Sequence, residues 1–355
     1  MRSAFFGLVL SLTAPLIQTA RADDQTEKDL VPDAVESKAA TAPAPGWRPL
    51  FSIGASISFS DSRKVVGAQD GSTWNIGPML DVGADYLGLE HEWRNLLTIR
   101  HVQTKTPAIE EFVKTVDSLV LDSIYLYHSP SLPWIGPFAQ FTLTTAMLAG
   151  EDVRGNDTNY TITNADGSIV QKLGQKRLAL TEPFAPLVLR ESVGAFLAPV
   201  TKPEVKVEFR AGVGARETLT QNGFAVTDDV ATVDVIEVKQ LQDYQQAGGE
   251  LFAGVSGTVT WDELGADRPL TYSVTTETLL PFYSSLDDDK AFADKVTFNF
   301  DAKLGVKVFS WMSLDYSFKV VREPLLVDEF QLQNTLLLNF SYVYTGPAAA
   351  AAPAP

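Results

Sequence analysis

Twelve long stretches of alternating polarity fill this chain from Trp47 to Tyr344, and no other feature limits its fold so severely. The clearest is 203–217, PEVKVEFRAGVGARE. Val205, Val207, Phe209, Ala211, Val213 and Ala215 fall on one side of it, and Lys206, Glu208, Arg210, Gly212, Gly214 and Arg216 on the other. Residues 295–308 repeat the pattern, with Asp301 and Lys303 in the polar set. A period of two is that of a strand with two unlike faces. The runs cover about 48–60, 73–87, 91–104, 115–128, 134–147, 184–198, 203–218, 247–262, 269–283, 294–308, 311–322 and 328–344. Strands of soluble domains average about 5–6 residues. These are longer, and a tilted strand crossing an outer membrane needs about 9–11.

The links between runs alternate in length. Short ones fall at 88–90, 129–133, 199–202, 263–268 and 309–310. Longer ones fall at 61–72, 105–114, 148–183, 219–246, 284–293 and 323–327, the last being the weakest case. Bacterial barrels have short periplasmic turns and long external loops. A soluble sandwich accounts for any single strand, but twelve long ones would need a second layer over their outer faces. Aromatic residues cluster near the expected strand ends: Trp47, Phe59, Trp74, Tyr86, Trp93, Tyr125, Tyr127, Trp134, Trp261, Tyr283, Trp311 and Tyr344. That is the signature of interfacial girdles. The expected fold is therefore all-β, a transmembrane antiparallel up-and-down β-barrel of about 12 strands spanning 47–344. One irregularity stands out. Glu191 falls on the same side as Leu187, Leu189, Val193 and Leu197, which implies a bulge or a position near a rim.

The flanking segments are of different character. Met1-Arg2, an apolar stretch Ala4–Ile17 and Ala20-Arg21-Ala22 match a secretion signal over 1–22, cleaved after Ala22, rather than a buried helix. Residues 23–46 are acidic and then Ala/Pro-rich, as expected of a disordered periplasmic linker, with a plug of the barrel as the alternative. Residues 345–355 form a low-complexity Ala/Pro tail.

Residues 91–134 carry a resemblance. HEWRNLLTIRHVQTKT, then KTVDSLVLDSIYLYH and Trp134, resemble a family of bacterial outer-membrane β-barrels catalogued only as a domain of unknown function. The matching positions are Trp93 and Asn95, Lys105, and Asp117 with Leu119, with Phe209–Gly214 as a later counterpart. The family's Gly-rich Asn-Trp motif is replaced here by VGAQDGSTWNIG. The resemblance implies a barrel in the bacterial outer membrane and no known activity.

Chemistry is sparsely marked. The chain has no cysteine, which removes thiol catalysis and cysteine-ligated metals. Its net charge of −16 disfavours nucleic acid as a partner. His91, His101 and His128 lack metal-site spacing, and no catalytic or cofactor motif is present. Asp287-Asp288-Asp289 and Asp228-Asp229 could offer oxygen ligands to calcium but lack its loop spacing, so they read as solvated loops. The expected lumen lining is mixed in charge: Asp81, Asp85, Arg94, Arg100, Lys206, Glu208, Arg210, Arg216, Glu277, Asp301 and Lys303. Two outcomes follow. Such a lining passes small polar solutes through a narrow channel, or its opposite charges pair and close it. The partners expected are outer-membrane lipid and small polar solutes. The alternatives are a structural or binding barrel that recognises through 148–183 and 219–246, and an outer-membrane lipid-modifying enzyme.

Overall fold

Alternating side chains build sixteen strands in the computed structural model, which describes residues 45–62, 71–227, 232, 235–260, 269–286, 291–309, 311–325 and 327–345. In chain order they are β1 (Gly46–Ser62), β2 (Gly71–Leu87), β3 (His91–Thr106), β4 (Ile109–Tyr127), β5 (Ile135–Thr145), β6 (Gly150–Thr163), β7 (Ile169–Thr181) and β8 (Leu187–Lys202). There follow β9 (Val205–Leu219), β10 (Phe224–Val226), β11 (Val235–Gln240), β12 (Tyr244–Val259), β13 (Leu270–Ser284), β14 (Thr297–Phe309), β15 (Met312–Glu323) and β16 (Val327–Thr345). The signal and linker expectations for 1–44, the tail beyond 345, the acidic pairs at 228–229 and 287–289, and Trp261 lie outside the described residues.

Twelve strands close a barrel in the order β1-β16-β15-β14-β13-β12-β9-β8-β5-β4-β3-β2, antiparallel throughout. Closure satisfies every ladder and leaves no edge, which hydrocarbon would not tolerate. The seam is the pairing of β1 with β16, from Leu50↔Thr345 to Ile57↔Leu338. Both chain ends and the turns at 88–90, 128–134 and 203–204 share one end, called terminal here; the excursions of the chain leave from the other, distal end. Loop asymmetry makes the distal end the external one.

The outward face carries Ile53 (51% exposed), Val193 (54%), Val213 (55%) and Leu332 (67%) among many exposed apolar side chains. A continuous belt of this kind on a water-facing surface would be an aggregation site; it suits hydrocarbon. Aromatic rings border it. Near the terminal end Trp47 lies 5.4 Å from Tyr86 and 5.8 Å from Trp93, and Trp311 stacks between Phe309 and Phe340. Phe59 and Trp74 meet at 4.4 Å near the distal end.

Two expectations need correction. Residues 105–114 are not a long external link: β3 and β4 continue through them and turn at Pro107-Ala108. Register shifts between Val102 and Gln103, and between Thr104 and Thr106, absorb extra residues there, so the period of two breaks in the sequence while the strands continue. Segments 148–183 and 219–246 are not loops either. They form a head, a four-stranded sheet ordered β10-β11-β6-β7 in which β11 runs parallel to β6. Tyr160, Ile162, Leu178, Leu180, Val226 and Val238 make its core.

Tight backbone approach fixes one ladder. Gly194 and Gly212 face each other across β8 and β9. A Cβ on Gly212 would lie 2.1 Å from the Val193 carbonyl oxygen. Gly212→Val is expected to push the two strands apart and lower the unfolding free energy by about 1–3 kcal/mol. Urea unfolding in detergent micelles measures this, and a wild-type midpoint would contradict it.

Candidate functional site

Inward positions of the barrel strands line the lumen in three levels. Nearest the terminal end, Arg94 on β3 reaches Glu92 (2.6 Å) and, across the lumen, Glu208 on β9 (3.4 Å). Arg210 lies 3.3 Å from Glu208, donates to Gln140 Oε1 at 2.5 Å, and stands 3.7 Å above the Phe252 ring. Gln140 donates in turn to Asp122 (2.7 Å). Asp85 sits exposed at this mouth and accepts the Asn95 backbone N–H. His128, just past β4, bonds to Glu92 at 2.9 Å, and that carboxylate holds the imidazole above its ordinary pKa.

At mid-height Asp81 pairs with Arg100 at 2.7 Å. Asp315 accepts from Ser313 and from Asn339, each at 2.5 Å. Asp301 and Lys303 lie 3.7 Å apart on β14. Towards the distal end Arg216 on β9 meets Glu323 on β15 at 2.5 Å, and Arg190 on β8 meets Glu277 on β13 at 2.8 Å. Both pairs bridge non-adjacent strands. A cavity of about 20 Å³ is left among Arg190, Arg216, Glu277, Asn299 and Glu323. That is room for roughly one water molecule.

Of the residues expected to line the lumen, Arg94 meets Glu208, Asp81 meets Arg100, Asp301 meets Lys303, Arg216 meets Glu323 and Glu277 meets Arg190, so the structure adds Arg190 and Glu323 to these contacts. Arg190 was legible as the polar neighbour of Glu191; Glu323 lay one residue beyond the run that ended at 322. Burial describes what this lining does. Asp81 is 1% exposed, Arg100 3%, Arg216 5% and Lys319 5%. An aqueous bore would wet these side chains. Instead they are shielded from solvent, with Asp81 paired to Arg100 and Arg216 to Glu323, as buried charges must be.

The head leaves the barrel from the distal ends of β5, β8, β9 and β12. Thr218 and Gln246, inward residues below it, are fully or almost fully buried. Asp152, in the head, accepts from Tyr160 Oη (2.8 Å) and Arg154 Nε (2.7 Å). Burial and then that carboxylate hold the Tyr160 phenol above its usual range. Arg177 ties the head to Glu111 on β4. At the β6–β7 turn, Ser168 donates to Asp166 through its hydroxyl and its backbone N–H, and holds that carboxyl below its ordinary value. Strand β7 ends the sheet, and its residues 169–177 are all exposed.

Trp93, Asn95 and Asp117, from the strongest part of the family resemblance, lie on the outer wall. Trp93 Nε1 donates to Ser123 Oγ (2.9 Å), Ser123 Oγ to Asn95 Oδ1 (2.8 Å), and Asn95 Nδ2 to the Ala84 carbonyl (2.9 Å). Asp117 accepts from Lys114 Nζ (3.0 Å) and from the Leu148 backbone (2.7 Å), with His101 Nδ1 at 3.8 Å. Glu191 also faces outward. The ladders on both its sides pass through it without a shift, so its side chain is a true member of the apolar face.

No family model and no curated protein matches the chain. Among solved structures it is similar to the translocator domain of the autotransporter NalP from Neisseria meningitidis: 8% identity, TM-score 0.38, covering 87% of this chain and 91% of that one. It is also similar to the beta domain of the Bordetella autotransporter BrkA: 11% identity, TM-score 0.34, 85% and 99% covered. A third is an outer-membrane channel from Pseudomonas putida F1: 9% identity, TM-score 0.34, 88% and 98% covered.

Proposed function

We propose that this chain is a bacterial outer-membrane barrel whose lumen is sealed by its own charges, and which serves to hold a folded external head for recognition. The observation that carries this reading is the burial of ion pairs between non-adjacent strands, above all Arg216 with Glu323. Pairs of this kind brace the wall from inside and occupy the space a solute would need. The head supports the second half of the reading. It has its own core, and its outermost strand presents Ile169 and Leu173, each about two-thirds exposed, beside Lys172 and Lys176. A free strand edge with apolar side chains and spare cations suits strand-by-strand docking of an acidic partner. No reaction is assigned to the barrel in this reading.

The second reading is a gated channel for small polar solutes. It is favoured by the mixed charge of the lining and requires the pairs to part. Planar-bilayer recordings separate the two. The purified wild type is expected to give no steady conductance at any applied voltage. A headless form, with 150–181 and 224–240 replaced by short glycine linkers, is expected to stay closed as well. Steady conductance in the wild type would overturn the sealed barrel. Conductance in the headless form alone would make the head a lid and establish the gated channel.

A further inference from the structure

The turn between β4 and β5 sends a side chain into the barrel. His128, the residue after β4, places its ring between Glu92 and Phe196. Glu92 is the ladder partner of the buried Leu126 and shares its inward face. Phe196 of β8 meets the ring edge-on at 5.0 Å and packs with Ile124, Leu126 and Phe138 in a buried apolar cluster. The imidazole is therefore mostly buried just inside the terminal mouth.

Both of its nitrogens face oxygen. Nε2 lies 2.9 Å from a Glu92 carboxyl oxygen, and Nδ1 lies 2.7 Å from the Pro133 carbonyl oxygen. A carbonyl has no hydrogen to give, and Glu92 also accepts from Arg94 Nε at 2.6 Å, the bonding of a carboxylate. Each ring nitrogen must then donate, and only the imidazolium carries two N–H groups. The contacts are those of a charged histidine. The main chain is tied at the two ends of the same turn, by His128 N–H to the Glu90 carbonyl and by Ala198 N–H to the Trp134 carbonyl, each at 2.7 Å.

Loss of one proton leaves one N–H for two acceptors. The charge-assisted bond to Glu92 is the stronger, so Nε2 keeps its hydrogen. The Nδ1 lone pair then faces the Pro133 carbonyl lone pairs, and this contact turns from bond to repulsion. We propose that His128 is a proton-operated clasp: charged, it fastens the 129–134 turn to β3 at the terminal mouth; neutral, it releases that turn. The clasp is independent of whether the lumen is sealed.

The charged and titratable groups about the ring are Glu92 and Arg94 on β3, Glu90 in the turn before it, Tyr127 on β4 and, past Arg94, Glu208 with Arg210 on β9. The bond to Glu92 holds the imidazole above its ordinary value, against burial and the Arg94 charge. The clasp therefore contributes fully at acid pH and is lost as pH rises through that raised value.

NMR of the full-length protein carrying ¹⁵N-histidine, in detergent micelles, tests this, with His128→Gln assigning the signal among the three histidines. The wild type is expected to show two protonated ring nitrogens on His128 at acid pH, and to lose the Nδ1 hydrogen on the alkaline side of an ordinary imidazole. Exchange of the 129–135 amides, corrected for its intrinsic pH dependence, is expected to quicken on the order of tenfold across that titration, the scale of one lost hydrogen bond of about 1.4 kcal/mol. His128→Gln is expected to show no such step, and Glu92→Gln to move it to lower pH. Heat-modifiable gel migration reports folding of both variants, and the wild-type titration decides even if neither folds. A His128 ring that titrates at or below the ordinary imidazole value would overturn the proposal. So would amide protection of the turn that is unchanged across the titration, or a wild-type step in folded His128→Gln. None of these outcomes bears on conductance.

Discussion

Glu323→Ala is expected to destabilise the barrel by about 3–5 kcal/mol, because it takes away the carboxylate that Arg216 meets at 2.5 Å while the guanidinium stays buried. Arg216 is 5% exposed and meets the Glu323 carboxylate at 2.5 Å. Burying a charge costs far more than burying a pair, so the loss comes from the residue that remains and not from the bond removed. Arg216→Ala is expected to cost a similar amount by stranding Glu323. The double variant Arg216→Ala/Glu323→Ala removes both charges of the pair and is expected to lose less than either single one. Urea unfolding of the three in micelles gives the cycle. Equal losses in single and double variants would show that the pair is not coupled. The double variant also removes two long side chains from the distal level, so it is the form in which current through a bilayer is expected to appear first.

Asp152→Ala is expected to melt the head and leave the barrel intact. The Asp152 carboxylate is 1% exposed and accepts both the Tyr160 hydroxyl and the Arg154 side chain. Its loss takes the acceptor from a fully buried phenol and the nearby carboxylate from a mostly buried guanidinium, a cost of about 3–5 kcal/mol. A four-stranded sheet with a core of six buried side chains cannot absorb this. The barrel can, because none of its ladders includes a head strand. Limited proteolysis is expected to cut within 150–181 and 224–240 while heat-modifiable migration stays as in wild type. Cleavage within β12 or β13, or loss of that migration, would mean that head and barrel fold as one unit.

The barrel was legible because its physics is local. Each strand must show lipid one face and the lumen the other, so the period of two is written residue by residue, as in Val205–Arg216. The head was not legible, for opposite reasons in its parts. In β7 nine consecutive residues are exposed, so no face is selected and no alternation arises. β10 is three residues long, and β6 carries Gly155-Asn156-Asp157 among residues that read as turn formers. The lumen residues could be named from phase alone, but their partners could not. Arg216 and Glu323 are 107 positions apart and meet only because the cylinder closes. Glu191 was legible as an exception to its face. Its unbroken register, which turns the exception into an outward-facing carboxylate, needed both neighbouring strands.

The seam ties the fate of β1 to β16. β1 is held on one side by β2 along its full length, but on the other side only by a strand that ends at Thr345. Until that strand arrives, the N-terminal edge has bare amides and carbonyls that acyl chains cannot satisfy. No intermediate lacking the C-terminal strand is a stable resident of the bilayer. Stable residence in the bilayer therefore requires β16 to be paired with β1.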